Sequence, residues 1–198
     1  LPGSTHQFRD WRPWGHGWMD LYRAIEISAD TYFYDLAYRA GINRIHEYLD
    51  RYGFGRKTGI DLSEESLGIN PSRDWKRNRF RQPWHLGDTV PIGIGQGYWT
   101  STLMQLAKAH STLANYGVTR TPHLLKEVSD PITGKVSKYQ QQEPLDTLKI
   151  KDPKYFEACR TGMYLVVNGP EGTGRRAFFG AKYKAAGKSG TAQVVSIK

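Results

Sequence analysis

Residues 185–195, near the end of the chain, constrain the fold more than any other segment. They begin with small residues and end in a β-branched run, and Lys188, Ser189, Gly190 and Thr191 lie between. This pattern predicts a buried strand, which must pair with neighbouring strands in a sheet. Gly190 lets another backbone or a ligand approach closely. The alternative interpretation is an edge strand with a solvated lysine.

The side chains within this segment predict a binding site for a carboxylate. A lysine is rarely buried without a partner, because an unpaired charge away from water is costly. Ser189 and Thr191 alternate along the predicted strand, so both hydroxyls can face the same side. Lys188 would add charge to their hydrogen bonds and so strengthen them. A cation, two hydroxyls and an open strand edge suit an extended peptide that ends in a carboxylate.

Composition limits the class of protein. The 198 residues suffice for one substantial domain, and 38% hydrophobic residues with 13% aromatics indicate a packed core rather than disorder. The net charge of +9 favours anionic partners: nucleic acid, an acidic membrane surface or substrates that carry carboxylates. Cys159 is the only cysteine, which excludes an internal disulfide. No apolar run approaches the ~20 residues needed to span a bilayer.

The first two thirds of the chain predict mainly helices. Residues 20–40 follow a helical period that Ser28-Ala29-Asp30 interrupts, so we expect two helices with Ser28 or Asp30 capping the second. Residues 42–52 and 101–116 also predict helices. In residues 101–116 the apolar side chains share one face with His110, which we interpret as a histidine at the edge of the core.

The last third mixes strands and helices. The predicted elements are a β-hairpin at 124–139, a helix at 155–168, a glycine-rich turn at 169–174 and a short helix at 175–179. This order predicts an α+β fold, with an all-helical lobe set against a largely antiparallel sheet. The groove between the lobes is the natural place for a site. Ser28 would lie on the helical wall and Lys188 on the sheet edge opposite.

Two short motifs resemble functional sites in sequence but lack the context that such sites require. Lys57-Thr58-Gly59 repeats the lysine–hydroxyl–glycine order, but it follows a glycine-punctuated turn and predicts a loop. The glycines of residues 93–97 suggest nucleotide binding. Tyr98 holds the position of the third glycine, and no Gly-Lys-Ser/Thr follows, so we reject that function.

Two further patterns are weak. Asp10 and His16 together supply only two metal ligands, and we expect capping and turn roles for them instead. Residues 71–85 interleave basic and aromatic residues, as in proteins that bind single-stranded nucleic acid. A solvated surface helix anchored to the core by its tryptophans explains the same pattern.

Two distant motifs together resemble those of a known family. Ser28-Ala29-Asp30 resembles the S-D-N motif of penicillin-binding proteins and β-lactamases, and Lys188-Ser189-Gly190-Thr191 resembles their K-T-G motif. Residues 58–62 and 93–107 extend the similarity to class B penicillin-binding proteins over nearly the whole chain. The stretches at 14–16 and 95–99 are most similar to the branch that builds the side wall of rod-shaped Gram-negative bacteria.

The chain departs from this family in two ways. The S-x-x-K motif, which in the family carries the nucleophilic serine and its lysine base, occurs nowhere in the sequence. We therefore expect residues 1–198 to be a partial transpeptidase domain. It would lack the S-x-x-K segment, upstream of Leu1, and the last sheet strands, and would be inactive alone. The second departure is Asp30 in place of asparagine, which loses an amide donor and adds negative charge.

The resemblance implies peptidoglycan D,D-transpeptidase chemistry. A serine outside the chain would attack the penultimate D-Ala carbonyl of a stem peptide and pass the acyl group to a neighbouring amine. Ser28, Asp30 and Lys188 would be catalytic, with Ser28 relaying a proton and Asp30 orienting the relay. Lys188, Ser189, Gly190 and Thr191 would bind the terminal carboxylate. The Thr191 N–H would supply half of the oxyanion hole.

The resemblance also implies partners and a location. The partners would be the D-Ala-D-Ala stem peptide, β-lactam antibiotics and the cell-elongation machinery with its glycosyltransferase and scaffold proteins. No cofactor, metal or nucleic acid is expected. The location would be the periplasmic face of the inner membrane, with an N-terminal anchor helix outside this chain.

Two other functions are alternatives to this one. A non-catalytic binding or sensor module of the same fold would suit the missing nucleophile. A nucleic-acid-binding protein would use the net charge of +9 and the basic residues 71–85.

Overall fold

The computed structural model describes residues 7–141 and 146–192, and within them helices predominate. The α-helices are α1 (Leu21–Glu26), α2 (Asp30–Arg51), α3 (Arg73–Phe80), α4 (Leu86–Thr89), α5 (Leu103–Ala114) and α6 (Lys154–Asn168). Two 3-10 helices cover Val90–Ile94 and Arg175–Phe178. The strands are β1 (Val118–Thr119), β2 (Glu127–Ser129), β3 (Val136–Lys138) and β4 (Asp146–Thr147). The predicted α+β class is confirmed.

The strands form two small antiparallel sheets. β1 pairs with β4, with Val118 opposite Thr147. β2 pairs with β3 as the predicted hairpin, with Val128 opposite Ser137. The hairpin turn is closed by Asp130, whose carboxylate accepts hydrogen bonds from the next backbone N–H groups, at 2.8 and 3.0 Å. Aspartate favours such turns because its short side chain reaches these N–H groups.

The core is built where helices meet at small residues. α1 packs against α6 at Gly162, where a Cβ would lie only 2.7 Å from Ile25 Cδ1. The 3-10 helix Val90–Ile94 packs against α2 at Gly93, where a Cβ would lie 2.4 Å from Phe33 O. Two apolar clusters follow, one around Ala24, Ile27 and Ala29, the other around Ile42, Trp84 and Ile92. Helix α2 therefore joins the α1 region to the rest of the molecule.

The break in residues 20–40 is confirmed, but the predicted cap is wrong. Ser28 adopts a left-handed conformation with φ +57°. Ala29 N donates to Ala24 O at 3.0 Å and Ser28 N to Ile25 O at 3.3 Å, which is the Schellman termination of α1. The N-cap of α2 is Ala29, and no side chain of that residue caps it. Ser28 lies one position before this N-cap, and Asp30 is the first residue of the helix itself.

The predicted buried strand is wrong for residues 185–192, and residues 193–195 lie outside the described residues. Residues 185–192 are irregular and mostly exposed, and no strand is formed there. Two hydrogen bonds hold the segment to α6, from Gly187 N to Met163 O at 3.0 Å and from Asn168 Nδ2 to Ala185 O at 2.8 Å. A strand requires a ladder of bonds to a neighbour. Here the partners are a backbone carbonyl and a side-chain amide of α6 and not a neighbouring strand, so the segment is irregular and exposed.

The predicted face of α5 is also wrong. Its buried residues are Gln105, Ala109 and Thr112, whereas Leu103 is 86% exposed and His110 is exposed. Gln105 is buried because its amide donates to Arg56 O and Leu67 O, both at 2.8 Å. A buried amide with satisfied hydrogen bonds can therefore displace leucine from the core face.

No helix within residues 7–141 and 146–192 combines the length and apolar character required to cross a membrane.

Candidate active site

The two predicted walls of the site meet at one hydrogen bond. Lys188 Nζ donates to Ser28 Oγ at 2.6 Å, although 160 residues separate them in sequence. The same ammonium donates to Ser189 O at 2.7 Å. The structure thus brings together a serine at the α1–α2 junction and the lysine of the C-terminal segment.

The backbone termination of α1 determines where Ser28 points its hydroxyl. The residue lies at the junction between α1 and α2, and the neighbouring Ala24, Ile27 and Ala29 are buried. Trp11 covers the junction, and its Nε1 donates to Ile27 O at 3.1 Å. The hydroxyl therefore projects from a fixed bend rather than from a mobile loop.

Asp30 and Lys188 supply opposite charges to this region. Burial raises the pKa of the Asp30 carboxyl, and the charge of Asp10 raises it further, while Lys188 and His16 oppose the shift. Burial lowers the pKa of the Lys188 ammonium, and the Asp30 charge opposes that shift. Both groups thus lose hydration, and each favours the charged form of the other. A partly desolvated lysine that touches a serine hydroxyl is suited to moving a proton.

Asp10 and His16 lie together beside the start of α2. His16 Nε2 lies 3.2 Å from Asp10 Oδ1, and both side chains are buried. Asp10 Oδ2 accepts from Thr31 N at 3.3 Å and from Thr31 Oγ1 at 3.0 Å. Asp10 therefore satisfies a free N–H in the first turn of α2, which confirms the capping role expected for it. The sequence had assigned the cap of this helix to Ser28 or Asp30. Among the described residues, no three His, Cys, Asp or Glu side chains form a group that could hold a metal.

The remaining candidate residues lie along one exposed edge. Ser189 Oγ lies 2.6 Å from Thr173 Oγ1. A Cβ at Gly190 would have no atom within 4 Å, so this backbone is open to a ligand. Thr191 is exposed. The edge therefore leaves room for an extended peptide beside Lys188.

Sequence reasoning missed Thr173, whose hydroxyl lies beside that of Ser189, and Glu26, whose main-chain carbonyl accepts from Thr173 N at 3.3 Å. Both were parts of ordinary elements, a glycine-rich turn and the end of a helix. The one available signal was the density of glycines at 169–174, since such a run marks close backbone approach as well as a turn.

The motif Lys57-Thr58-Gly59 is a structural loop, as predicted. Thr58 is 3% exposed, and Glu65 accepts from both its N–H and its hydroxyl, at 2.8 and 2.5 Å. Lys108 Nζ donates to Thr58 O at 2.8 Å. The N–H, hydroxyl and carbonyl of Thr58 therefore all have hydrogen-bond partners within the protein and are not available to a substrate.

The basic segment 71–85 includes α3, and part of it is buried. Lys76 is 2% exposed and pairs with Asp88 at 2.6 Å. The rings of Trp75 and Trp84 both contact Tyr98, at centroid distances of 5.4 and 6.1 Å. These tryptophans anchor the helix, as expected, and are not free to stack on bases.

The sequence matches known transpeptidases along its whole length. The profile described as "Penicillin binding protein transpeptidase domain" matches residues 1–198. The chain is 49% identical over 200 residues to peptidoglycan D,D-transpeptidase MrdA of Haemophilus influenzae, covering 100% of this chain and 30% of that protein. It is 47% identical over 198 residues to MrdA of Escherichia coli K12, covering 100% of this chain and 31% of that protein. The chain thus spans about a third of the length of these relatives.

Solved structures agree with the sequence relatives. A crystal structure of Pseudomonas aeruginosa PBP2 in complex with WCK 5153 superposes with a TM-score of 0.86 at 41% identity, over 98% of this chain and 43% of that one. A complex between PBP2 and MreC from Helicobacter pylori gives a TM-score of 0.83 at 37% identity, over 96% of this chain and 34% of that one. These findings confirm the resemblance stated from the motifs. The chain belongs to the penicillin-binding protein transpeptidase family.

Proposed function

We propose that the protein carrying this chain is a peptidoglycan D,D-transpeptidase of cell-wall elongation. The observation that carries this proposal is the 2.6 Å hydrogen bond from Lys188 Nζ to Ser28 Oγ. It closes two distant motifs into one site. The MrdA proteins of Haemophilus influenzae and Escherichia coli, which bear that activity in their names, align with the whole chain.

The reaction would be acyl transfer through a serine outside this chain, since no S-x-x-K motif occurs in the sequence. That serine would attack the carbonyl of the penultimate D-Ala, break the peptide bond and release the terminal D-Ala. An amine of a neighbouring stem peptide would then take the acyl group and free the serine. The Ser28 hydroxyl would pass the proton between the amine and the lysine base of the S-x-x-K motif, which also lies outside this chain. Asp30 and Lys188 would set the local charge.

The exposed edge beside Lys188 would hold the substrate carboxylate. Lys188 supplies the charge, Ser189 and Thr191 supply hydroxyl donors, and Gly190 leaves the backbone open. A β-lactam would use the same contacts, because its carboxylate mimics that of the peptide. The Thr191 N–H would donate to the oxyanion, and loss of one such donor typically costs about 3 kcal/mol of transition-state stabilisation.

The same proposal extends to partners and location. The Helicobacter pylori relative was solved as a complex of PBP2 with MreC, which supports an association of the present protein with elongation scaffolds. A glycosyltransferase would supply the uncross-linked strands. The site would work at the periplasmic face of the inner membrane, with an anchor helix outside this chain.

Labelling with a fluorescent penicillin tests the proposal. In the full-length protein, Lys188→Ala should slow acylation roughly 10- to 100-fold, the effect of losing a hydrogen bond to a charged group. Lys57→Ala is the matched control, because Lys57 belongs to the second lysine–hydroxyl–glycine motif, Lys57-Thr58-Gly59. This variant should be labelled at the wild-type rate. Equal effects of the two substitutions would contradict the assignment of Lys188. A wild-type protein that takes no label would favour a binding or sensor module instead.

A further inference from the structure

Thr173 belongs to neither of the two motifs that form the proposed site, yet it contacts one of them directly. Its Oγ1 lies 2.6 Å from Ser189 Oγ. Ser189 is one of the hydroxyls proposed to bind the substrate carboxylate. The distance is at the short end for a hydroxyl–hydroxyl hydrogen bond.

The turn that carries Thr173 is anchored on the end of α1. Thr173 N donates to Glu26 O at 3.3 Å, and Glu171 N donates to Glu26 Oε1 at 3.1 Å. Glu26 is only 7% exposed. A Cβ at Gly169 would lie 2.2 Å from Glu26 Oε1 and 2.6 Å from the backbone oxygen of Leu165, so glycine lets the turn close on α6 and on this carboxylate. The position of Thr173 is therefore determined by α1.

The end of α1 also positions Ser28, two residues after Glu26. The contacts consequently form a closed ring, from Glu26 through Thr173 to Ser189, along the chain to Lys188, and across to Ser28. Each wall of the site is thus tied to the same buried residue. A displacement of the turn would move the Ser189 hydroxyl relative to Ser28.

The direction of the hydrogen bonds in this ring follows from what each group can do. A carboxylate only accepts hydrogen bonds, so a bound substrate takes the single hydrogen of the Ser189 hydroxyl. The Ser189 oxygen is then free to accept from Thr173. Thr173 Oγ1 lies 3.5 Å from Glu26 O, beyond the usual range, and 2.6 Å from Ser189, so its hydrogen is best placed on Ser189. Donation by Thr173 polarises the Ser189 hydroxyl and strengthens its bond to the carboxylate.

We propose that Thr173 is a positioning residue that orients the Ser189 hydroxyl toward the terminal carboxylate of the donor peptide. This inference rests on the proposed function. Thr173 acts through Ser189 and touches neither the substrate nor the reacting atoms. Its contribution is to binding of the carboxylate, which is present in the ground state and in the transition state alike.

Saturation kinetics of penicillin acylation in the full-length protein test the inference. Thr173→Val keeps the shape of the side chain and removes the hydroxyl. The penicillin concentration at half-saturation should rise about fivefold, the effect of one net hydrogen bond, while the maximal acylation rate stays within twofold. Thr173→Ser keeps the hydroxyl and should restore wild-type half-saturation. Thr133→Val makes the same change in the exposed hairpin turn and should alter neither constant.

A double-mutant cycle separates orientation of Ser189 from a general structural role. If Thr173 acts through Ser189, Thr173→Val causes no further change in a Ser189→Ala background. A fivefold loss that persists in that background overturns the inference. Should Thr173→Val lower the melting temperature, Thr173→Ala gives the decisive measurement, since it removes the hydroxyl without a branched side chain. An unchanged half-saturation in Thr173→Ala overturns the inference.

The failures of the two proposals are distinguishable. A wild-type protein that penicillin does not acylate overturns the proposed function and this inference with it. A wild-type protein that is acylated, with Thr173→Val indistinguishable from it, overturns the role of Thr173 alone.

Discussion

Ser28 occupies a backbone position where glycine is the usual residue. Its φ of +57° places it in the left-handed region, at the C′ position of the Schellman motif that ends α1. A residue with a Cβ costs roughly 1–2 kcal/mol there. The hydroxyl that bonds Lys188 explains why a serine is found despite this cost. Strain of this kind concentrates at functional sites because chemistry requires a side chain that the backbone disfavours.

Substitutions of Ser28 should separate stability from activity. Ser28→Gly and Ser28→Ala both remove the hydroxyl, but only glycine relieves the left-handed strain. Ser28→Gly should therefore be about 1 kcal/mol more stable to unfolding than Ser28→Ala. Both variants should be acylated by penicillin at least tenfold more slowly than wild type. Denaturant unfolding and labelling of the full-length protein measure the two effects. Equal stabilities would contradict the assigned backbone conformation, and wild-type labelling would contradict the role of the hydroxyl.

At the scale of elements, the turn after α6 decides how the C-terminal segment leaves the helix. Gly174 N donates to Val166 O at 2.9 Å, which satisfies one of the carbonyls left free at the end of α6. A Cβ at Gly172 would lie 2.3 Å from Val166 O and 2.5 Å from Leu165 O. Both contacts are with backbone atoms, so neither can be relieved by a side-chain rotation. The turn thus closes only with glycine at 172.

Gly172→Ala should destabilise the protein and weaken acylation with it. Crowding of this kind costs roughly 1–3 kcal/mol of unfolding free energy. Gly87→Ala is the matched control, because a Cβ there meets no atom within 4 Å. Thermal unfolding of the full-length variants provides the measurement. A melting temperature for Gly172→Ala equal to that of Gly87→Ala would show that the turn does not close on α6 as described.

At the scale of the molecule, charge couples two parts of the chain that are remote in sequence. Burial lowers the pKa of Lys188 from the 10.5 of an ordinary lysine, and the charge of Asp30 partly restores it. The proposed binding of the substrate carboxylate by Lys188 requires the charged ammonium. Acylation should therefore fall as pH rises through the Lys188 pKa, on an alkaline limb that lies below 10.5.

Asp30→Asn should move that alkaline limb to lower pH. The substitution removes the negative charge that raises the Lys188 pKa, so the ammonium loses its proton more easily. The variant should remain active, because asparagine is the residue of the S-D-N motif. Asp35→Asn removes an exposed carboxylate that pairs with Arg39 and should leave the profile unchanged. Penicillin acylation rates measured across alkaline pH report the limb. A shift of the alkaline limb to higher pH would contradict the inference that the Asp30 charge raises the Lys188 pKa.

Local patterns predicted the main helices and the hairpin. They were wrong for residues 185–192, where a strand was expected, and wherever buried polar contacts decided the outcome. The helices around 42–52, 101–116 and 155–168, the hairpin and the glycine-rich turn were all predicted from periodicity and turn residues. The core face of α5 was not predicted, because the buried amide of Gln105 donates hydrogen bonds to two backbone carbonyls on loops remote in sequence. The residue that caps α2 was not predicted, because the Asp10 carboxylate accepts from Thr31 N from a loop 21 residues earlier in the chain. Such partners are invisible to a window of neighbouring residues.

By itself the sequence determined the main helices, the β2–β3 hairpin and the two motifs that resemble those of the family. Helix periodicity and turn signals act over a few residues, since helical hydrogen bonds link positions only four apart. Tertiary structure alone decided that Ser28 and Lys188 meet, and that Thr173 contacts Ser189. Those contacts depend on α1 closing against α6 at Gly162 and on the turn after α6 folding back over Glu26. They join residues far apart along the chain, so packing, rather than local propensity, holds the site together.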